Sequence, residues 1–183
     1  RPLTKQFFDV HLMCSKPEIL LESFKAAGAD SITIHVELHD PAEALIWKIR
    51  SLGMKVGLAV NPPTSINEVK PYLDKVDLIL VMTVNPGFGG QAFIVESLPK
   101  IQQVAAWRRE QGLDFQIEVD GGIKFESAAE CARAGADVFV SGSGLFAHRN
   151  LKAAVAKMRK IVKANDPAIA DLQCEKPSEP QLA

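Results

Sequence analysis

The chain has 183 residues, 47% hydrophobic and 23% charged, a balance that suits one globular unit with a sizeable core. A formal net charge of −1 removes any general electrostatic case for nucleic acid or an anionic membrane as partner. No apolar run approaches the ~20 residues of a membrane span, and residues 1–6 lack the apolar core and cleavage pattern of a signal peptide. The sequence starts at Arg1 without an initiator Met and enters a strand almost at once, so it is expected to begin within a longer protein. Cys14, Cys131 and Cys174 are odd in number and scattered, which fits free thiols in a reducing, cytoplasmic setting better than a disulfide framework or a zinc cluster.

Short β-rich runs alternate with helical patterns. Strands are expected over 7–13, 31–37, 55–60, 76–83, 115–120 and 137–141. Helices are expected over 17–27, 41–52, 65–72, 95–111, 126–134 and 150–163. Gly28, Gly53, Gly112 and Gly135 each stand just past a helix and shortly before a strand, the place of a helix stop. Ala27-Gly28-Ala29-Asp30 returns as Ala134-Gly135-Ala136-Asp137, an internal echo of one helix-to-strand joint. Six βα units in a row predict a parallel sheet, either doubly wound or a barrel.

The two strand faces favour the barrel. One carries Phe8, Val10, Leu12, Ile32, Ile34, Val36, Leu58, Val60, Ile117, Val119, Val138 and Val140, and suits packing under helices. The other carries Asp9, His11, Met13, Thr33, His35, Glu37, Ala59, Asn61, Glu118, Asp120, Phe139 and Ser141. A sheet covered by helices on both sides should be apolar on both. A TIM-type (β/α)8 barrel can instead enclose a polar cluster and builds its active site at the C-terminal strand ends. Such a barrel needs eight units, so the chain reads as a barrel lacking its first two βα units, with six present over 1–163. Residues 164–183, with Pro167, Pro177 and Pro180 among polar residues, read as a disordered tail.

Three stretches carry chemistry. In Ile117-Glu118-Val119-Asp120-Gly121-Gly122-Ile123 a strand runs into a carboxylate and then two glycines. Alone this is an ordinary Asp-Gly turn. Val84-Asn85-Pro86-Gly87-Phe88-Gly89-Gly90-Gln91 and Gly142-Ser143-Gly144 are two further Gly-rich turns after strands. Turns after the final strands of a barrel commonly form a phosphate site from backbone N–H groups. The expected ligand is a small phosphorylated molecule held mostly by neutral amides. His11 and Asp120 end different strands at the same end of the barrel and could be half of a divalent metal site. His35 and Glu37 could join them or form a buried polar pair; His39 and His148 read as surface residues. Met13 and Met82 also point inward.

Asp9-Val10-His11-Leu12-Met13, residues 82–91, Glu118-Val119-Asp120-Gly121-Gly122 and Gly142-Ser143 together resemble the ribulose-phosphate 3-epimerase family. The likeness runs from about residue 7 to residue 163 in order and spacing. It implies a metal-dependent isomerase of the pentose phosphate pathway that interconverts ribulose 5-phosphate and xylulose 5-phosphate. The family holds one divalent cation, usually Zn²⁺ with Fe²⁺, Mn²⁺ or Co²⁺ as alternatives, through two His and two Asp. Of these, His11 and Asp120 match positions here, and Asp120 also matches one of two acid/base carboxylates. The substrate positions matched are His11, Met13, Met82, Gly87, Phe88, Gly89, Gly90, Asp120, Gly121, Gly122, Gly142 and Ser143. The resemblance also implies a cytoplasmic homo-oligomer acting on a sugar phosphate. The family's other Asp and His, in a His-Val-Asp-Val-Met-Asp-Gly-like segment, have no counterpart in the sequence, so these residues alone are expected to be inactive. An epimerase for allulose 6-phosphate would share every motif, and a non-catalytic sugar-phosphate-binding remnant is the alternative outside enzymology.

Overall fold

The computed structural model describes residues 1–38 and 42–167. In chain order it contains β1 (Asp9–His11), α1 (Leu21–Ala27), β2 (Ser31–His35), α2 (Ala42–Ser51), β3 (Lys55–Val60), β4 (Leu78–Met82), α3 (Leu98–Gln111), β5 (Gln116–Asp120), α4 (Phe125–Ala134), β6 (Val138–Val140), α5 (Ser143–Phe146) and α6 (Leu151–Asn165). Between β3 and β4 the expected helix is a 3-10 helix, Ile66–Tyr72, which contains Pro71. Proline offers no N–H to an α-helical ladder, and the segment winds as the tighter 3-10 form instead. Short 3-10 turns, Pro17–Ile19 and Val95–Ser97, lead into α1 and α3 in place of the first turns of single helices. The four-residue α5 has no counterpart among the expected helices. Gly28, Gly53, Gly112 and Gly135 all take positive φ at their helix stops.

All six strands pair in parallel in the order β1-β2-β3-β4-β5-β6. The sheet is strongly curled. β1 and β5 are four strand steps apart, which in a flat sheet is roughly 19 Å. Yet His11 Nδ1 on β1 stands 3.7 Å from Asp120 Oδ2 on β5. Lower in the lumen, the Asp9 carboxylate of β1 is close enough to act on the carboxyl of Glu118 on β5. The result is a half-barrel of α/β type, with helices outside and a partly polar lumen inside.

The outer strand face and the helices make the main core. Ile32, Ile34, Val56, Leu58, Ile79, Val81, Ile117 and Val119 are fully buried there. They meet Leu45, Ile46 and Ile49 of α2, Ile101 and Val104 of α3, and Ala128 and Cys131 of α4, at helical spacing. Inside, Ala59, Leu78, Leu80, Met82 and Val84 form a second, apolar cluster. The lumen is therefore polar along β1, β2 and β5 but oily along β4.

Strand β6 corrects the expected face assignment. Glu118 pairs with Val138 and Asp120 with Val140, so Val138 and Val140 share the lumenal side. Phe139 packs into the outer core, and the Ser141 hydroxyl donates to the Ile123 carbonyl. A three-residue strand is too short for its alternation to reveal its phase; the pairing register decides it.

The Ala-Gly-Ala-Asp echo has a structural purpose. Asp30 and Asp137 each precede an even-numbered strand, and Asp77 fills the same place before β4. Each carboxylate accepts an N–H within a residue of where the preceding strand begins: Phe8 at 2.7 Å, Ile117 at 2.8 Å and Val56 at 2.9 Å, respectively. Each also meets an arginine, Arg1, Arg108 or Arg50. The same clamp thus recurs every two βα units and holds the N-terminal rim together. α6 reaches Asn165, two residues past the expected boundary at 163. Residues 39–41, with His39 and the expected start of α2, and the tail from 168, with Cys174, lie outside the described residues.

Candidate active site

Asp120 is the last residue of β5, half-buried at the C-terminal rim. The turn behind it is held from both sides. Thr83 donates its N–H to the Asp120 carbonyl at 2.8 Å and its hydroxyl to the Gly121 carbonyl at 2.5 Å. The Ser127 hydroxyl of α4 donates to the Gly122 carbonyl at 3.0 Å. Gly121 and Gly122 adopt φ of 119° and 63°, and a Cβ on either would strike a neighbour. On Gly121 it would lie 2.4 Å from Val84 Cγ2, and on Gly122 2.6 Å from the Phe93 nitrogen. These glycines are required by the backbone path and by close packing.

The 87–90 loop differs. A Cβ on Gly87, Gly89 or Gly90 would meet nothing within 4 Å, and the same holds for Gly142. Their missing side chains leave open space in front of the backbone. The Gln91 amide staples the loop by donating to the Asn85 carbonyl at 2.7 Å and the Phe88 carbonyl at 2.8 Å. In the sequence Gln91 is only the end of a motif; its role as a staple emerges from the fold.

The three turns and Asp120 converge on one cavity of about 290 Å³. It is lined by Met13, Met82, Gly87, Phe88, Gly89, Gly90, Asp120, Gly121, Gly122, Gly142 and Ser143, with Val84, Pro86, Gln91, Ile123 and Val140 completing the wall. Every sequence-predicted substrate position lines it except His11. Of the five additional residues, Val84, Pro86 and Gln91 belong to the 84–91 turn, and Val140 enters through the β6 register that the sequence pattern placed on the other face. Among these lining residues Asp120 is the sole ionisable side chain. An anion here would meet amide N–H groups, including those at the start of α5, which have no intrahelical partner.

His11 stands behind the rim of that cavity. Its Nε2 lies 2.8 Å from His35 Nε2, and His35 Nδ1 lies 3.2 Å from Glu37 Oε2. Burial would raise the Glu37 carboxyl, but hydrogen bonds from His35, the Asn61 N–H and Thr64 outweigh it and bring it down to about 2. The reverse holds for Glu118, pushed up to about 8 by burial and then by the carboxylates of Asp9 and Asp120. Two carboxyls of one lumen thus differ in protonation at neutral pH because donors surround one and acceptors the other. His148 lies on the surface, tilted against Phe125 at 5.1 Å, away from the cavity. Cys14 and Cys131 are free thiols.

A metal would find a partial seat. His11 Nδ1 is buried without a hydrogen-bond partner and faces Asp120 Oδ2, as a nitrogen left free for a cation would. Among the described residues no three His, Cys, Asp or Glu side chains converge tightly enough to hold a metal alone. The fit is that of two ligands which need others to complete a coordination sphere.

A ribulose-phosphate 3-epimerase of Synechocystis is 46% identical over 173 residues, 93% of this chain and 74% of that one. The ribulose-phosphate 3-epimerase of Escherichia coli is 42% identical over 151 residues, 82% of this chain and 67% of that one. Among solved structures, 3-keto-L-gulonate-6-phosphate decarboxylase from Vibrio cholerae superposes with a TM-score of 0.64 at 18% identity, over 87% of this chain and 73% of that one, a likeness of fold alone. The model of the ribulose-phosphate 3-epimerase family matches residues 1–146, the stretch that carries all six strands, Asp120 and the three turns, and the chain belongs to that family.

Proposed function

We propose that this site serves epimerisation at C3 of a ketose phosphate, D-ribulose 5-phosphate to D-xylulose 5-phosphate, through an enediolate. The observation that carries the reading is the convergence of Asp120 and the three Gly-rich turns on one small cavity. The amides of 87–90, 121–122 and 142–143 bind the phosphate end. Asp120, at the far side of its turn, takes the C3 proton from one face of the substrate and can return it there. Met13 and Met82 lie on the wall beside it and exclude water from the reacting carbons. His11 and Asp120 would be two ligands of a divalent cation, Zn²⁺ by preference, whose charge would stabilise the negative oxygen that develops as the C3 proton leaves.

Inversion needs a second acid/base on the opposite face, and no other carboxylate lines the cavity among the described residues. The reading is that two further βα units close the barrel and bring it, with the remaining metal ligands. The 183 residues alone would then bind phosphate but not turn over substrate. The test is epimerisation of ribulose 5-phosphate, with metal analysis, by the 183-residue chain and by the full-length protein. Activity and one bound metal in the longer protein alone are expected. Activity in the short chain would overturn the two-unit reading, and inactivity in both would favour a binding protein. Running allulose 6-phosphate in parallel tests the carbon number, and light scattering tests the homo-oligomer that the family resemblance implies.

A further inference from the structure

His35 and Glu37 are outside the wall of the cavity that Asp120 lines, yet they connect in series to His11. Glu37 Oε2 is 3.2 Å from His35 Nδ1, and His35 Nε2 is 2.8 Å from His11 Nε2. At the near end, His11 Nδ1 is buried, unpartnered and 3.7 Å from Asp120 Oδ2. At the far end, Glu37 Oε1 accepts the Asn61 N–H at 2.7 Å, which ties the carboxylate to the loop after β3. Lys100 reaches from α3 to the carbonyls of Asn61, Pro62 and Thr64 and holds that loop in turn.

The direction of each hydrogen bond follows from the carboxylate. An ionised carboxylate only accepts, so His35 Nδ1 carries the hydrogen. A neutral imidazole has one N–H, so His35 Nε2 is a lone pair and accepts from His11 Nε2–H. The same rule leaves His11 Nδ1 as a lone pair, and that is the nitrogen found unpartnered beside Asp120. The two rings are close to coplanar, with centroids 4.9 Å apart and an interplanar angle of 22°, as a hydrogen bond between their edges requires. His35 is only 7% exposed, which favours its hydrogen bonds to His11 and Glu37 over water.

The geometry points to His35 and Glu37 as positioning residues that hold His11 in the tautomer whose Nδ1 lone pair is offered to a cation beside Asp120. This rests on the reading of His11 as a metal ligand and adds what orients it. Outer partners of this kind typically change metal affinity by about 10–100-fold when removed.

Two measurements test it. In the metal-free full-length protein labelled with ¹⁵N-histidine, at about pH 8 where an unperturbed imidazole is neutral, long-range ¹H–¹⁵N spectra distinguish protonated from lone-pair nitrogens. His11 Nδ1 is expected as a lone pair in the parent, with a mixture of tautomers in His35→Phe and Glu37→Leu. Zn²⁺ affinity, read by competition with a chromophoric chelator, is expected to fall about 10–100-fold in both variants. Their inorganic phosphate affinity should stay unchanged, since the Gly-rich turns set it. His35→Gln, whose carbonyl can accept from His11 Nε2–H, is expected to recover part of the zinc affinity. A protonated His11 Nδ1 in the parent overturns the proposal, as does unchanged zinc affinity in folded His35→Phe. Absence of zinc binding in the full-length parent overturns this and the metal reading together, whereas zinc binding that the variants leave untouched overturns this one alone.

Discussion

Asp120 stands at one position with three relationships: it ends a strand, it starts a Gly-rich turn, and it neighbours His11. Its carbonyl is fixed by Thr83, so replacing the side chain leaves the turn in place. Asp120→Asn in the full-length protein is expected to lower kcat by about 10³-fold or more, with the circular dichroism spectrum and inorganic phosphate affinity unchanged. Glu118 makes a different prediction. Its folded-state carboxyl titrates near 8 against an ordinary 4.5, so the native state holds a proton that the unfolded chain has released. Stability from this group is complete below about 4.5, falls as pH rises toward 8, and is flat above it, a loss of a few kcal/mol at most. Glu118→Gln cannot ionise, so its urea midpoint should gain on the parent progressively between pH 5 and 8. A constant difference across that range would refute the assignment.

The three turns look alike in sequence but divide into two kinds in the fold. Gly121 combines a φ of 119° with a Cβ position 2.4 Å from Val84, whereas Gly89 has an ordinary φ and open space before it. Gly121→Ala is therefore expected to destabilise by more than about 1 kcal/mol, from strain and clash together. Gly89→Ala should leave the melting temperature unchanged, since its methyl group meets nothing within 4 Å, and weaken phosphate binding, since it adds bulk to a residue that lines the cavity. Thermal melts with phosphate titration separate the two. The turns themselves are legible because three Gly-rich segments, each directly after a strand, suit backbone N–H groups aimed at an anion. Which glycine serves packing and which serves the ligand is not, since that depends on the loop crossing above it.

At the scale of the whole molecule, the curl of the sheet is what matters. It brings β1 and β5 together across the lumen and leaves β1 and β6 with one strand partner each among the described residues. Unpaired strand edges expose N–H and C=O groups and invite association. On the proposal that two further βα units close the barrel, the 183 residues alone are expected to melt lower than a chain that includes those units and to self-associate at rising concentration, as sedimentation would show. Equal melting temperatures would mean that the edges are protected by some other part of the chain.

Sequence was enough for the six βα units, the helix stops, the polar inner stripe and the motifs that meet at the site. These are local, and periodicity, glycine position and residue order carry them directly. The phase of β6, the third aspartate clamp at Asp77, the Gln91 staple and the line from Glu37 to His11 were decided only by the tertiary structure. Each depends on residues far apart in the chain, and such proximity follows from strand register and sheet curvature, which no local pattern encodes.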